Sequence, residues 1–196
     1  MKKKAKGEHG YIAFQRIRVL IITIILYMCA AGLYLIGYLT LHTHRNLWTV
    51  FAVLSILPAS KSLVSLIMFM RFKSLDTSVY DEYTEAIKQI PSIYELPFTT
   101  YEKTYYVDVI SCIGNTVAVC YQGKPSRKIT HAQDIKRLSE HLETVLKNDG
   151  HKDFTIKIYD NRQDFVRRIK EMNANLAYKR SAYDEGILNS LKAVTL

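Results

Sequence analysis

The sequence predicts a two-helix transmembrane hairpin followed by a small α+β domain of order α-β-β-α-β-α-α. Three observations carry this. Two long apolar runs are separated by only five residues, the composition turns mixed at residue 71, and strand-type and helix-type patterns alternate beyond that point.

Val19 to Leu41 contains 23 residues without a formal charge, and Leu47 to Met70 contains 24 interrupted by one Lys. About 20 apolar residues cross a bilayer core. The first run is also too long for the apolar part of a signal peptide and lacks a convincing small-x-small cleavage site. His42 to Asn46 leave room only for a tight turn. The chain thus divides into a basic tail (1–18), a transmembrane hairpin (19–70, spans 19–41 and 47–70) and a cytosolic α+β domain (71–196).

The formal charge of +9 first suggests nucleic acid or an anionic membrane as partner. Its distribution favours the membrane. The tail carries Lys2, Lys3, Lys4, Lys6, Arg16 and Arg18 against Glu8, a net +5, whereas residues 71–196 hold 19 Lys+Arg and 17 Asp+Glu, a net +2. Basic residues crowd before the first span and only Arg45 lies in the turn, so both termini are expected in the cytoplasm. Anionic headgroups are the expected surface partner.

In the soluble part, Asp76 or Ser78 can cap a helix running to Ile90, which Pro91 stops. Glu95 to Tyr101 is expected to be irregular because of Pro97. Lys103 to Ile113 and Thr116 to Gln122 mirror one another across Gly114-Asn115, a hairpin signal. That turn pairs Cys112 with Val117 and Cys120 with Val109, so the two thiols face opposite sides of the sheet and no disulfide is expected. Thr130 can cap a helix with Ile135, Leu138, Leu142, Val145 and Leu146 on one face. Phe154 to Tyr159 is a third strand. A third helix from Asn161, with Asp160 at its cap, points Phe165, Val166, Ile169 and Met172 inward. A last helix uses Ile187, Leu188, Leu191 and Val194.

Lys61 stands ten residues before Arg71, about 15 Å along a helix and close to the bilayer centre. A central Lys costs about 2.5–3.5 kcal/mol on insertion scales. Pro58, Lys61, Ser62 and Ser65 fall on one side of the second span, and Tyr27, Tyr34 and Tyr38 on one side of the first. These two polar stripes are expected to meet, with hydroxyls or a carbonyl freed by Pro58 solvating the ammonium. No Asp or Glu lies within either span. Two readings remain: an anion, lipid-headgroup or oligomer site around Lys61, or a kinked segment that lifts Lys61 to the interface.

For catalysis, Glu85, Asp108 and Lys124, with Gln122-Gly123 before the Lys, loosely resemble the PD-(D/E)xK nuclease arrangement, in which carboxylates hold Mg²⁺ and a Lys positions water. No Pro-Asp is present and Gln replaces the second acid. P-loop, G-x-S-x-G, Asp-x-Asp and paired Cys/His spacings are absent, so no cofactor and no metal is expected. The basic residues Lys124, Arg127 and Lys128, and Arg162, Arg167 and Arg168, admit RNA, anion or headgroup binding, with headgroup attraction or plain solvation the commoner meaning.

The segments Gly7-Glu8-His9-Gly10-Tyr11-Ile12, Leu57-Pro58-Ala59-Ser60-Lys61-Ser62 and Ile67-Met68-Phe69 resemble a group of small, mostly uncharacterised two-pass membrane proteins of Gram-positive bacteria. Some of these are labelled O-linked N-acetylglucosamine transferase-like. The resemblance covers the N-terminal third and implies a bacterial inner-membrane location; no residue seen here supports glycosyl transfer. The expected function is a non-catalytic, multi-pass inner-membrane protein that anchors a cytosolic binding domain at the membrane, possible as a homo-oligomer or with a membrane partner. The alternatives are a membrane-associated RNA-binding protein and a membrane-tethered Mg²⁺-dependent nuclease or transferase.

Overall fold

The computed structural model describes residues 5–41, 47–88, 90–100, 103–123, 130–175 and 182–195. The chain forms two compact units, one from Ile12 to Lys73 and one that joins the residues up to Tyr11 with Ser74 onward.

The first unit consists of α1 (Tyr11–Leu41) and α2 (Leu47–Met70). Both are long and apolar enough to cross a membrane. Helix α1 starts eight residues ahead of the apolar run, so Arg16 and Arg18 are helical, and Arg16 donates to the Phe72 carbonyl at 2.5 Å. Most large side chains on both helices are exposed, including Ile24, Leu35, Leu54, Leu57 and Val64. Between Thr23 and Ala59 the buried positions among the described residues are small, the large buried residues Ile12 and Phe69 lying near the ends of the two helices. Thr23, Ala30 and Gly37 recur every seven residues on α1, and Ala52 and Ala59 repeat the interval on α2. The Thr23 and Ser62 hydroxyls meet at 2.8 Å. Small residues at such a seam permit close approach of the two helix backbones.

The second unit contains α3 (Thr77–Ile87), β1 (Ser92–Thr99), β2 (Thr104–Ile113), β3 (Thr116–Cys120), α4 (His131–Asn148), β4 (Thr155–Tyr159), α5 (Arg162–Asn175) and α6 (Ala182–Val194). The four strands form one mixed sheet in the order β1-β2-β3-β4, antiparallel except for the parallel β3–β4 pair that α4 connects. Leu138, Leu142 and Leu146 of α4 and Ile187, Leu188 and Leu191 of α6 cover one face. Tyr83, Ala86 and Ile87 of α3 and Phe165, Val166 and Ile169 of α5 cover the other. Two apolar cores are thereby formed, separated by the sheet.

The order differs from expectation by one strand. Ser92–Thr99 is β1, although it contains Pro97. Because β1 is an edge strand, a residue lacking an N–H is tolerated there. The Gly114-Asn115 turn behaves as expected. Both residues have positive φ, +51° and +67°, the conformation that favours Gly and Asn in a two-residue hairpin. Cys112 pairs with Val117 and Cys120 with Val109, and the two thiols sit in opposite cores. Val194, expected inward on the last helix, is 46% exposed.

Residues 5–10 pack within this unit. The Gly7 carbonyl accepts from the Tyr94 N–H at 2.9 Å, and the Lys6 ammonium donates to the Thr195 carbonyl. Gly7 has φ +87°, a backbone conformation that favours glycine, and a Cβ there would lie 3.2 Å from Ile93 Cγ2.

Candidate functional site

The sheet departs from regular alternation at one place. Ile93 and Ile110 point to the α4/α6 core, Tyr94 and Val109 to the α3/α5 core, and Leu96 and Val107 to the α4/α6 core again. One position on each strand is therefore out of phase. These are Glu95, with φ +54°, and Asp108, which face each other between the Tyr94–Val109 and Leu96–Val107 pairs. The paired irregularity lets both strands turn a carboxylate towards the α3/α5 side while keeping their apolar residues inside.

The two acids are treated differently. Glu95 is fully buried and accepts from Ser74 Oγ at 2.6 Å and the Leu75 N–H at 3.0 Å, with His9 Nδ1 at ion-pair distance, 3.2 Å. The His9 ring stacks on Tyr80, with centroids 4.3 Å apart. A single carboxylate thus holds the segment leading into α1 and the segment leading out of α2. Asp108 is 7% exposed and accepts no hydrogen bond from a described residue. Burial pushes its carboxyl up to about 6 against the pull of the Arg162 guanidinium, and Glu95 adds to the rise. Burial also raises the hydroxyls of Tyr83 and Tyr106 above their ordinary range.

Arg162 links Asp108 to a polar cleft of about 500 Å³ lined by Gln122, His131, Asp160, Asn161, Arg162 and Gln163. The topology explains this set. Gln122 follows β3, Asp160 and Asn161 follow β4, and His131 and Arg162 are the first residues of α4 and α5. Beyond the carboxyl ends of parallel strands, two helix N-termini and their leading loops converge, which is where open sheets of this kind bind ligands. Asn161 caps α5 through the Gln163 N–H at 3.1 Å, so the expected cap, Asp160, is left in the cleft wall. At α4, the Thr130 N–H donates to Gln133 Oε1 at 3.3 Å. His131 Nδ1 is buried without a hydrogen-bond partner among the described residues. A second buried ion pair stands on the opposite face of the sheet, where Lys103 Nζ meets Asp134 at 2.6 Å. Burial, the largest single effect, works against the Lys103 ammonium, but the Asp134 hydrogen bond and the charges of Tyr121 and Asp134 together outweigh it and raise its pKa.

Burial pushes the Cys120 thiol up to about 12 and raises Cys112 further, so neither is a thiolate nucleophile at neutral pH. Among the described residues no three His, Cys, Asp or Glu side chains converge as a metal site. Glu85 lies on the exposed side of α3 while Tyr83, Ala86 and Ile87 face the sheet, so it does not join buried Asp108. Lys124, Arg127 and Lys128 lie outside the described residues. Arg162 pairs with Glu82 at 3.2 Å, Arg167 with Asp164 at 3.0 Å and Arg168 with Glu171 at 3.1 Å, leaving these three cations locally balanced.

The two polar stripes of the hairpin do not meet as expected. Ser62 reaches Thr23, but Pro58, Lys61, Tyr27, Tyr34 and Tyr38 are exposed. Ser55, Ser60 and Ser65 each donate to the carbonyl four residues earlier, so their hydroxyls are spent within α2. The residues missed in the sequence are Glu95, His9 and His131. Glu95 sits in a segment disguised by Pro97, and His9 acts on a residue 86 positions away. No protein-family model, curated protein or solved structure matches the chain.

Proposed function

We propose that the protein is a non-catalytic membrane anchor that holds an α+β binding domain at the cytoplasmic face of a bacterial inner membrane. The observation that carries this is the apolar exterior of the first unit. Helices α1 and α2 leave most of their large side chains exposed, with only 11% of each apolar window buried. Water is a poor solvent for such a surface and lipid a good one. The basic residues ahead of the first span support a cytoplasmic domain, and Glu95 supports its role as a tethered module by gripping both connecting segments. The cleft beside Arg162 is the binding surface of this reading. RNA is disfavoured by the acidic partners of Arg162, Arg167 and Arg168, and nuclease chemistry by the exposed position of Glu85.

Alkaline carbonate extraction of membranes containing the full-length chain tests the anchor. Retention in the pellet agrees with insertion through α1 and α2; release into the supernatant removes the anchor from the account.

A further inference from the structure

Helix α2 has two seams, and only one is used. Ala52, Ala59 and Ser62 lie on the side that meets α1. On another side, Val50, Leu54, Leu57, Lys61, Val64 and Met68 follow one another at intervals of four and three residues. That is the spacing of a helix-pairing stripe, and Val50, Leu54, Leu57 and Val64 are 53%, 53%, 68% and 64% exposed. Lys61 stands in its middle, nine residues before the end of α2, or about 14 Å along the axis.

The Lys61 ammonium has no hydrogen bond or ion pair to any described residue. Neighbouring serine hydroxyls are committed to their own helix, and Ser65 is bonded to the Lys61 carbonyl. Residues 19–70 contain no Asp or Glu, so neither this chain nor a second copy can supply a counter-charge from its spans. A central, unpaired Lys on an otherwise apolar stripe marks a partner rather than a packing position. A single polar residue within such a seam also selects which helix may pair with it.

We infer that the Lys61 stripe of α2 docks a transmembrane helix of another protein that carries an intramembrane Asp or Glu. This deepens the anchor reading and rests on it: the domain would be held at one particular membrane complex rather than spread over the bilayer. The apolar residues supply close contact, and the Lys–carboxylate pair supplies selectivity, because either charge alone is costly in lipid.

The test places a photo-crosslinking amino acid, p-benzoylphenylalanine, at Val64 of the full-length chain in its native membranes. The expected product is one adduct whose crosslinked peptide is a transmembrane helix containing Asp or Glu. Lys61→Leu lowers its yield by more than about tenfold, as truncating one member of a desolvated charge pair does, while Lys61→Arg preserves it. Lys61→Glu restores it only when the partner carboxylate is changed to Lys. Adducts to lipid alone, adducts to a second copy, a helix without a carboxylate, or a yield indifferent to Lys61→Leu each overturn the inference. Carbonate extraction of the same sample separates the two levels. Protein retained in the membrane without the adduct defeats only the partner; protein released from it defeats the anchor as well.

Discussion

The two units bury opposite kinds of side chain. In the α+β domain, large residues such as Leu142, Phe98 and Tyr105 are fully enclosed and charged residues lie mainly outside. In the hairpin, Thr23, Ala30, Gly37, Ala52 and Ala59 are enclosed, with Ile12 and Phe69 near the helix ends, while most Leu, Ile and Val face outward. On the proposed membrane reading, one sequence alphabet is read against two solvents. Water drives large apolar groups together; lipid does not, and leaves close contact between small residues as the force that pairs helices.

The largest effect expected from that contrast is at Leu142. Leu142→Ala removes a fully buried side chain and should destabilise the domain by about 2–5 kcal/mol. The same change at Leu54, 53% exposed on α2, should leave domain stability unaltered. Both are measured in detergent by the urea dependence of thiol labelling at buried Cys112 and Cys120, in a Cys29→Ser background. Equal effects at the two leucines would erase the distinction between the units.

Next in size is Glu95. Glu95→Ala strands the Leu75 N–H and the Ser74 hydroxyl and should cost about 2–3 kcal/mol in the same assay. It should also expose residues 5–10 to proteolysis without releasing the hairpin from membranes. Unchanged cleavage near Gly7 would show that the carboxylate does not hold the entering segment.

Asp108 should act in the opposite direction. Its folded pKa is raised to about 6 from 3.8, so the folded state binds the proton more tightly than the unfolded chain. Its favourable contribution is complete below about pH 4 and is lost as pH rises through about 6. Asp108→Asn should flatten this part of the stability profile and stabilise the domain at pH 7.5 by roughly 2 kcal/mol. A variant with an unchanged slope between pH 4 and 6 would show that Asp108 is not the group responsible. Smallest of all, Arg167→Gln, which removes an exposed pair with Asp164, should shift the unfolding midpoint by a fraction of a kcal/mol.

How much of this was legible in the sequence follows from the range of each interaction. The hairpin, the Gly114-Asn115 turn and the opposed cysteines were legible because they depend on run length or on residues close together. The helical faces of α4 and α5 were legible through their periodicity. Strand β1 was not, because Pro97 argues against a strand unless that strand is known to lie at an edge. The docking of residues 5–10 depends on Tyr80, Tyr94 and Glu95, far along the chain, so the entering segment looked like a plain basic tail. The small-residue seam is not legible in the sequence, because Thr23, Ala30 and Gly37 carry no chemical signal of their own, unlike the polar residues at helical spacing around Lys61. At the cleft, Arg162 was visible as a basic residue, but only the order of β3, α4, β4 and α5 brings it beside Gln122 and His131.

The most direct test of the central claim is Thr43→Cys labelling in a Cys29→Ser background with a membrane-impermeant maleimide, because residue 43 lies between the two spans. The account predicts labelling in intact cells, with Cys112 and Cys120 protected until the cells are lysed and the domain unfolded. Labelling of residue 43 only after lysis would contradict it.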